Sequence, residues 1–317
     1  MLGAYSILLY MHLLIIHNPT SGDQEYSRKK LEALVEAAGH SCTYFSSKDE
    51  DWKKLDIEAD ALVVAGGDGT VRKVVKQLMN RKLKERSLPI VLFPLGTANN
   101  IADTLGVKGL SPEEVIAGLS SAVSKCYDVG KLYNLEDDEF FMESFGFGIF
   151  PFLIKKMKKR SEDEKSAEAE EELKAAINML YDVVSEYEPR ECTLQVDGSD
   201  HSGKFILAEI MNIKSIGPRL ELAPTADPGD GEFEVVLIPE AHKSKFMAFV
   251  GDMKKGANTS FAFHTLRGRN IKIQWQGTHV HIDDKILKIE ENAKVEVEMK
   301  RSIIEFLVPV PKTGQPG

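Results

Sequence analysis

Three short stretches combine glycine, hydroxyl side chains and a carboxylate where apolar runs end: HNPTSG (His17 to Gly22), AGGDGT (Ala65 to Thr70) and PLGTANN (Pro94 to Asn100). Glycine brings a backbone within hydrogen-bonding reach of a ligand, and the N–H groups at a following helix start favour anions, phosphate above all. Thr20, Ser21, Thr70 and Thr97 add hydroxyl donors. Asp68 is the anomaly, because a carboxylate beside phosphate oxygens is repelled unless a cation lies between them or a hydroxyl donates to it. It therefore works through Mg2+ or holds a ribose or a phosphate-bearing loop; the reading without a ligand is a cap on the helix that starts near Thr70. No GxxxxGK[ST] occurs and GGDGT is not GxGxxG, so the common nucleotide motifs are excluded.

The elements that must position these loops alternate in type. HLLII, ALVVAGG and PIVLFPLG read as buried strands, while SRKKLEALVEAAGH, VRKVVKQLMNRKL and TANNIADTLG have helical spacing. Such alternation predicts a parallel sheet covered by helices, with the strand ends and their loops along one edge. After about Val129 the pattern changes to short strands, TLQVDG, KFILAEIM, FEVVLIP, NIKIQW, HVHIDDKILKI and KVEVEM, interrupted by helical stretches around Lys155 to Glu186 and His242 to Lys255. The expected class is α/β plus β: a parallel-sheet α/β domain over residues 1–130, rejoined by a returning C-terminal strand in 303–317, and a mainly antiparallel β-sandwich over 131–302. Phe140, Phe141, Phe145, Phe147, Phe150 and Phe152 form an aromatic-rich strand and turn, read as core.

The 317 residues carry a formal charge of -9, which argues against affinity for nucleic acid. KKMKKR (Lys155 to Arg160) runs straight into acidic residues and reads as a solvated helix, with contact to anionic lipid headgroups as the alternative. Three scattered cysteines without a CxxC pair fit a reducing, cytoplasmic setting. The apolar start AYSILLYMHLLII is too short to span a bilayer, so no transmembrane segment is expected; what precedes Met11 is an extended start or a short apolar appendage. His279 and His281 share a strand face, but no third ligand for zinc is evident.

The ordered set NPTSG, GGDGT and PLGTANN, followed by FMESFGFGIF (Phe140 to Phe150) and MNIKSIGPRLELAPTADPGDGEFEVVLI (Met211 to Ile238), resembles the diacylglycerol kinase and sphingosine kinase superfamily in its bacterial soluble branch. The resemblance runs from about Leu13 to Val308. GGDGT alone is shared with NAD kinases and phosphofructokinases, and the first domain is expected to have their fold; the second NAD kinase signature is absent. The resemblance implies an enzyme that binds ATP and Mg2+ in an interdomain cleft and phosphorylates a lipid hydroxyl at the inner membrane face, with a homodimer as a further possibility. It places Asn18, Thr20, Ser21 and Gly22 on the nucleotide, Gly66, Gly67, Asp68, Gly69 and Thr70 on phosphates and metal, and Gly96, Thr97 and Asn99 on the nucleotide from the facing loop. Asp227 and Asp230 fall in the acidic stretch that, in the family, organises a Mg2+ and water network.

Departures from the family pattern are informative. Asn99-Asn100 stands where relatives have Asn-Asp, and Gly229-Asp230 where paired aspartates are common. In HIDDKIL, Asp283 matches the family's Asp-Gly-Glu, but Asp284 replaces the glycine and Lys285 the glutamate proposed there as general base. A protonated lysine cannot accept a proton. Three readings stay open: Asp284 substitutes as base at a bulge, Lys285 contacts a γ-phosphate or an anionic lipid, or IDDKI is a turn with Lys285 solvated. The rival to a lipid kinase is a non-catalytic nucleotide or lipid sensor that lost its base.

Overall fold

The computed structural model describes residues 10–22, 25–54, 58–80, 88–135, 139–160, 169–216, 220–257 and 259–310. The segment before Tyr10, read above as an extended start or an appendage, lies outside the described residues, as does much of the acidic run after Arg160. The chain divides into two units, Met1–Tyr127 with Ile303–Gly317, and Asp128–Ser302.

In the first unit, β1 (His12–His17), α1 (Arg28–Ala37), β2 (Ser41–Ser46), β3 (Ala61–Gly66), α2 (Asp68–Asn80), β4 (Ile90–Pro94), α3 (Asn100–Leu105) and α4 (Pro112–Ala117) follow in order. β1 pairs in parallel with both β2 and β3, and β3 pairs in parallel with β4. All six residues of β3 are buried, which explains why its sequence is continuously apolar rather than alternating. Leu13, Ile15, Val63, Val91 and Phe93 pack with Leu31 and Val35 of α1 and Val115 of α4. Ser27 caps α1 through Lys30 N–H, and Ser111 with Glu114 forms a capping box on α4.

β5 (Val123–Tyr133) leads from the first unit into the second. There β6 (Phe140–Phe141), β7 (Ser144–Gly148), α5 (Ile149–Lys158), α6 (Ala169–Glu186), β8 (Arg190–Val196), β9 (Ser199–Asp200) and β10 (Gly203–Met211) follow. Next come β11 (Ser215–Ile216), β12 (Leu220–Glu221), β13 (Phe233–Pro239), α7 (Lys243–Lys254) and β14 (His264–Gly268). β15 (Asn270–Trp275), β16 (His279–Ile282), β17 (Lys285–Lys288) and β18 (Lys294–Val308) complete the chain. Strands β17, β16, β7, β10, β8, β15 and the first part of β18 lie side by side, antiparallel throughout. β10 shifts register between Phe205 and Leu207 and also pairs with β13, which carries β14. A bulge of this kind bends a strand so that one strand serves two sheet directions. Phe141, Phe145, Phe147, Phe233 and Trp275 fill the interior, while α5, α6 and α7 cover an opposite face lined by Ile206, Leu207, Val236 and Ile238.

The class is thus the expected one, a parallel α/β region followed by an antiparallel β-rich region. Two local readings need correction. The aromatic stretch is not one strand and turn: Gly148, at φ 98°, ends β7, and Phe150 and Phe152 lie on α5. Phe150 is buried, but Phe152 is exposed and stacks edge-on against Tyr187. The helical stretch from Lys155 to Glu186 is likewise two helices, the first beginning at Ile149. KVEVEM and IIEFLVPVP join in the single strand β18, which passes through Ser302 at φ 52° and returns to the first unit, where Phe306 sits opposite Ile90 of β4. Asp128, the first residue of the second unit, accepts a hydrogen bond at 2.6 Å from the N–H of Ser302, its last.

Candidate active site

In the first unit the loops after β1, β3 and β4 are bonded to one another. Asn18 N–H donates to Ala65 carbonyl at 2.9 Å, and Leu95 N–H to Gly66 carbonyl at 3.2 Å. Gly67 and Gly96 meet back to back: a side chain at Gly96 would overlap the Gly67 backbone and lie 2.6 Å from Asn99 Oδ1. Gly22, at φ 57°, packs on Leu95 carbonyl, which a side chain would approach to 2.5 Å. The glycines at these points serve loop-to-loop contact, and the bare backbone follows from that packing.

Asp68 is the tie between the loops. Its two carboxylate oxygens accept the N–H groups of Asn100 at 2.9 Å and Ile101 at 3.0 Å, the first residues of α3. A cap is present, as the reading without a ligand required, but on the helix of the next loop instead of the one that Asp68 begins. Charge-assisted bonds to helix-start N–H groups are among the stronger ones available. Asn99, in the left-handed region at φ 53°, uses its side chain inside its own loop, accepting from Gly96 N–H at 3.1 Å and donating to the carbonyls of Pro94 (3.0 Å) and Gly96 (2.6 Å). Thr20 Oγ1 donates to Asn18 Oδ1 at 2.9 Å, and Ser21 N–H to Asn18 carbonyl at 3.0 Å. Thr70 is buried under Gly66, whereas Thr20, Gly22, Gly69 and Thr97 are exposed. His17, at the end of β1, is buried, which lowers its pKa, and its Nδ1 lies 2.9 Å from the Tyr44 hydroxyl.

The second unit contains the remaining sequence-derived residues. Asp227 accepts Gly229 N–H at 2.9 Å, and Asp230 accepts Glu232 N–H at 3.0 Å and pairs with Arg267. Beside them Asp128, which the sequence reading passed over, is buried and accepts Gly231 N–H at 2.9 Å; burial raises its pKa against the lowering effect of its bonds from Ser302 and Gly231. Among the described residues no group of three or more His, Cys, Asp or Glu side chains is arranged to hold a metal ion.

Asp283 and Asp284 form the two-residue turn between β16 and β17, where Ile282 pairs with Lys285. IDDKI is therefore a turn between two strands, as one of the three readings has it, and Asp284 does not sit at a bulge. Asp283 is buried at φ 51°, and its carboxylate accepts the successive N–H groups of Met142, Glu143 and Ser144 at 3.1, 2.8 and 3.3 Å. Asp284 is exposed, and its carbonyl accepts Lys158 Nζ at 2.6 Å. Lys285 is not simply solvated: its Nζ lies 2.7 Å from Oε1 of Glu139, a carboxylate only 4% exposed. Behind the turn, His281 and Glu209 are both fully buried, with Nε2 2.8 Å from Oε1 and 3.0 Å from Oε2, and His281 Nδ1 is 2.9 Å from Asp283 carbonyl. Burial alone would lower the pKa of His281; attraction and hydrogen bonding to Glu209 outweigh it and raise the value, so the imidazole is held protonated.

Glu139, Glu209 and Asp128 had no local signal in the sequence, since their partners lie 146, 72 and 174 residues away.

Residues 12–132 match the diacylglycerol kinase catalytic domain, and residues 161–300 the YegS C-terminal NAD kinase beta sandwich-like domain. A diacylglycerol kinase of Bacillus subtilis (strain 168) is 24% identical over 74% of this chain and 75% of its own length. One of Staphylococcus aureus (strain MRSA252) is 21% identical over 77% of this chain and 76% of its own. Among solved structures, a diacylglycerol kinase of Bacillus anthracis strain Sterne superposes with a TM-score of 0.69 at 18% identity, covering 96% of this chain and 98% of that one, a likeness of fold.

Proposed function

Because the chain belongs to the diacylglycerol kinase catalytic-domain superfamily, we propose that it is an ATP-dependent lipid kinase, transferring the γ-phosphoryl group to a lipid hydroxyl. The observation that carries this reading is the joining of the loop after β3 to the one after β4 by Asp68, with the loop after β1 bonded beside them through Asn18, at the end of a parallel sheet, a place where such sheets bind ligands. The cradle fits a nucleoside triphosphate: Thr20 and Thr97 offer exposed hydroxyls, and Gly69 is exposed where α2 begins. The described residues provide no three-ligand cage for Mg2+, but Mg2+ commonly arrives with phosphates and takes only one or two carboxylates. Asp68 is the residue of the first unit assigned to it; when bound, Mg2+ would neutralise charge on the phosphoryl oxygens.

In the transfer, the acceptor O–H bond breaks, the oxygen bonds to the γ-phosphorus, and the bond to the leaving ADP oxygen breaks. The first unit orients the donor. Of the hairpin carboxylates, Asp283 is committed to three N–H groups, so Asp284 is assigned to receive the proton. A base of this kind contributes about 10²- to 10⁴-fold.

The test is transfer of ³²P from γ-labelled ATP and Mg2+ to a total lipid extract in detergent micelles. A labelled lipid is expected with the wild type, its formation falling at least about 100-fold in Asp68→Ala and about 100-fold in kcat alone in Asp284→Asn. ATP binding without labelled lipid would instead favour a nucleotide sensor.

A further inference from the structure

The transfer reaction leaves one arrangement unused, an ammonium group fixed by a buried carboxylate. Lys285 is 46% exposed, while Glu139 beneath it is 4% exposed and 2.7 Å away. A lone surface lysine samples many rotamers; here one N–H is committed to a buried acceptor, which aims the stem and leaves two donors for something outside the protein. Three further lysines stand on neighbouring elements. Lys158 Nζ rests on Asp284 carbonyl, and Lys155 of α5 and Lys288 of β17 face His279, whose pKa is lowered by burial first and then by these two charges. Among the described residues, Glu139, paired with Lys285, and Asp284, assigned to proton removal, are carboxylates on this side.

Resting on the lipid-kinase reading, we propose that Lys285 determines acceptor specificity by binding an anionic oxygen, so that the favoured acceptor is a lipid alcohol already carrying a phosphate or carboxylate. Glu139 is its positioning residue. The donor's phosphates have their own donors in the loops of the first unit, whereas Lys285 belongs to the second. A neutral acylglycerol offers this ammonium no charge to match, and a charge-assisted bond in this position is worth about 10- to 100-fold.

The experiment compares 1-oleoyl lysophosphatidate with dioleoylglycerol as acceptors in neutral detergent micelles. Wild type is expected to have the higher kcat/KM with lysophosphatidate. Lys285→Met should lower that value about 10- to 100-fold through KM, far more than it lowers the value for dioleoylglycerol, Lys285→Arg should retain the preference, and Glu139→Gln should weaken it. Lys285→Met removes a cation from beside the buried Glu139, so the double variant Lys285→Met/Glu139→Gln, which removes both charges, must show the same loss of preference. Equal loss with both acceptors, or a rise in KM for ATP whichever acceptor is present, overturns the inference. Labelling of dioleoylglycerol in preference to lysophosphatidate overturns it while sparing the lipid-kinase reading; no labelled lipid from either overturns both.

Discussion

At the scale of single residues, the second unit concentrates its polar cost behind one turn. His281 and Glu209 are both sealed from solvent, and the pair is joined through Asp283 carbonyl to the turn carrying Asp284 and Lys285. Removing one partner strands a charge, so Glu209→Ala should destabilise the protein by about 3–5 kcal/mol in denaturant unfolding, while His281→Leu/Glu209→Leu should recover much of the loss. The pH dependence has a definite sign. A folded-state pKa raised above the unfolded value of about 6.5 means that this stabilisation is complete below that pH and is lost as pH rises through the folded value. The midpoint of the wild type should therefore fall on the alkaline side, and that dependence should be absent from the double-leucine variant. Little of this was legible in the sequence. His281 presents itself there as an alternate residue on a strand beside His279, and only the pairing of β16 with β7 and of β7 with β10 brings Glu209 to it.

At the scale of elements, the loops of the first unit act as a fastened set. Gly96→Ala should push the loop after β4 from Gly67 and disturb the Asn99 side chain, costing about 1–3 kcal/mol and weakening ATP binding more than tenfold by calorimetry, with the far-UV spectrum preserved. The strands β1, β3 and β4 were readable because each is an apolar run closed by glycine, proline or asparagine, and α1, α2 and α3 because their sequences have helical spacing. The grouping of the three loops followed from the rule that parallel strands end at one edge. Which atom holds which loop did not follow: Asp68 reaches Asn100 across 32 positions, and a helix-start aspartate looks the same in sequence whether it caps its own helix or a neighbour's. The departure at Asn100 fits this arrangement, since the carboxylate of Asp68 uses its backbone N–H.

At the scale of the whole molecule, the first unit is built from both ends of the chain. Ile304, Phe306 and Val308 of β18 are buried in it, and Phe306 stacks edge-on with Tyr127. At about 1.5–3 kcal/mol for each buried side chain, ending the chain at Ser302 removes stability comparable to that of an entire domain. Such a truncation should lose the cooperative melting transition of the first unit and its ATP binding, read by calorimetry. Among the described residues no helix is long and apolar enough to cross a membrane; Phe152 is exposed on α5, whose last turn carries Lys155, Lys156 and Lys158.

The return of β18 has a consequence for biosynthesis. When the ribosome has made β4, the strand's outer edge, Ile90 to Pro94, has no neighbour, and its partner is the last strand to be translated. An apolar strand with an open edge is a template for pairing with other chains. The rest of the first half and the whole second unit, Asp128–Ser302, emerge in the meantime, at about 5–20 residues per second, so the nascent first half spends on the order of ten seconds or more with that edge uncovered. Slowing translation near the 3′ end of the message should lengthen this interval and raise the demand for chaperones, without a single change in the amino-acid sequence.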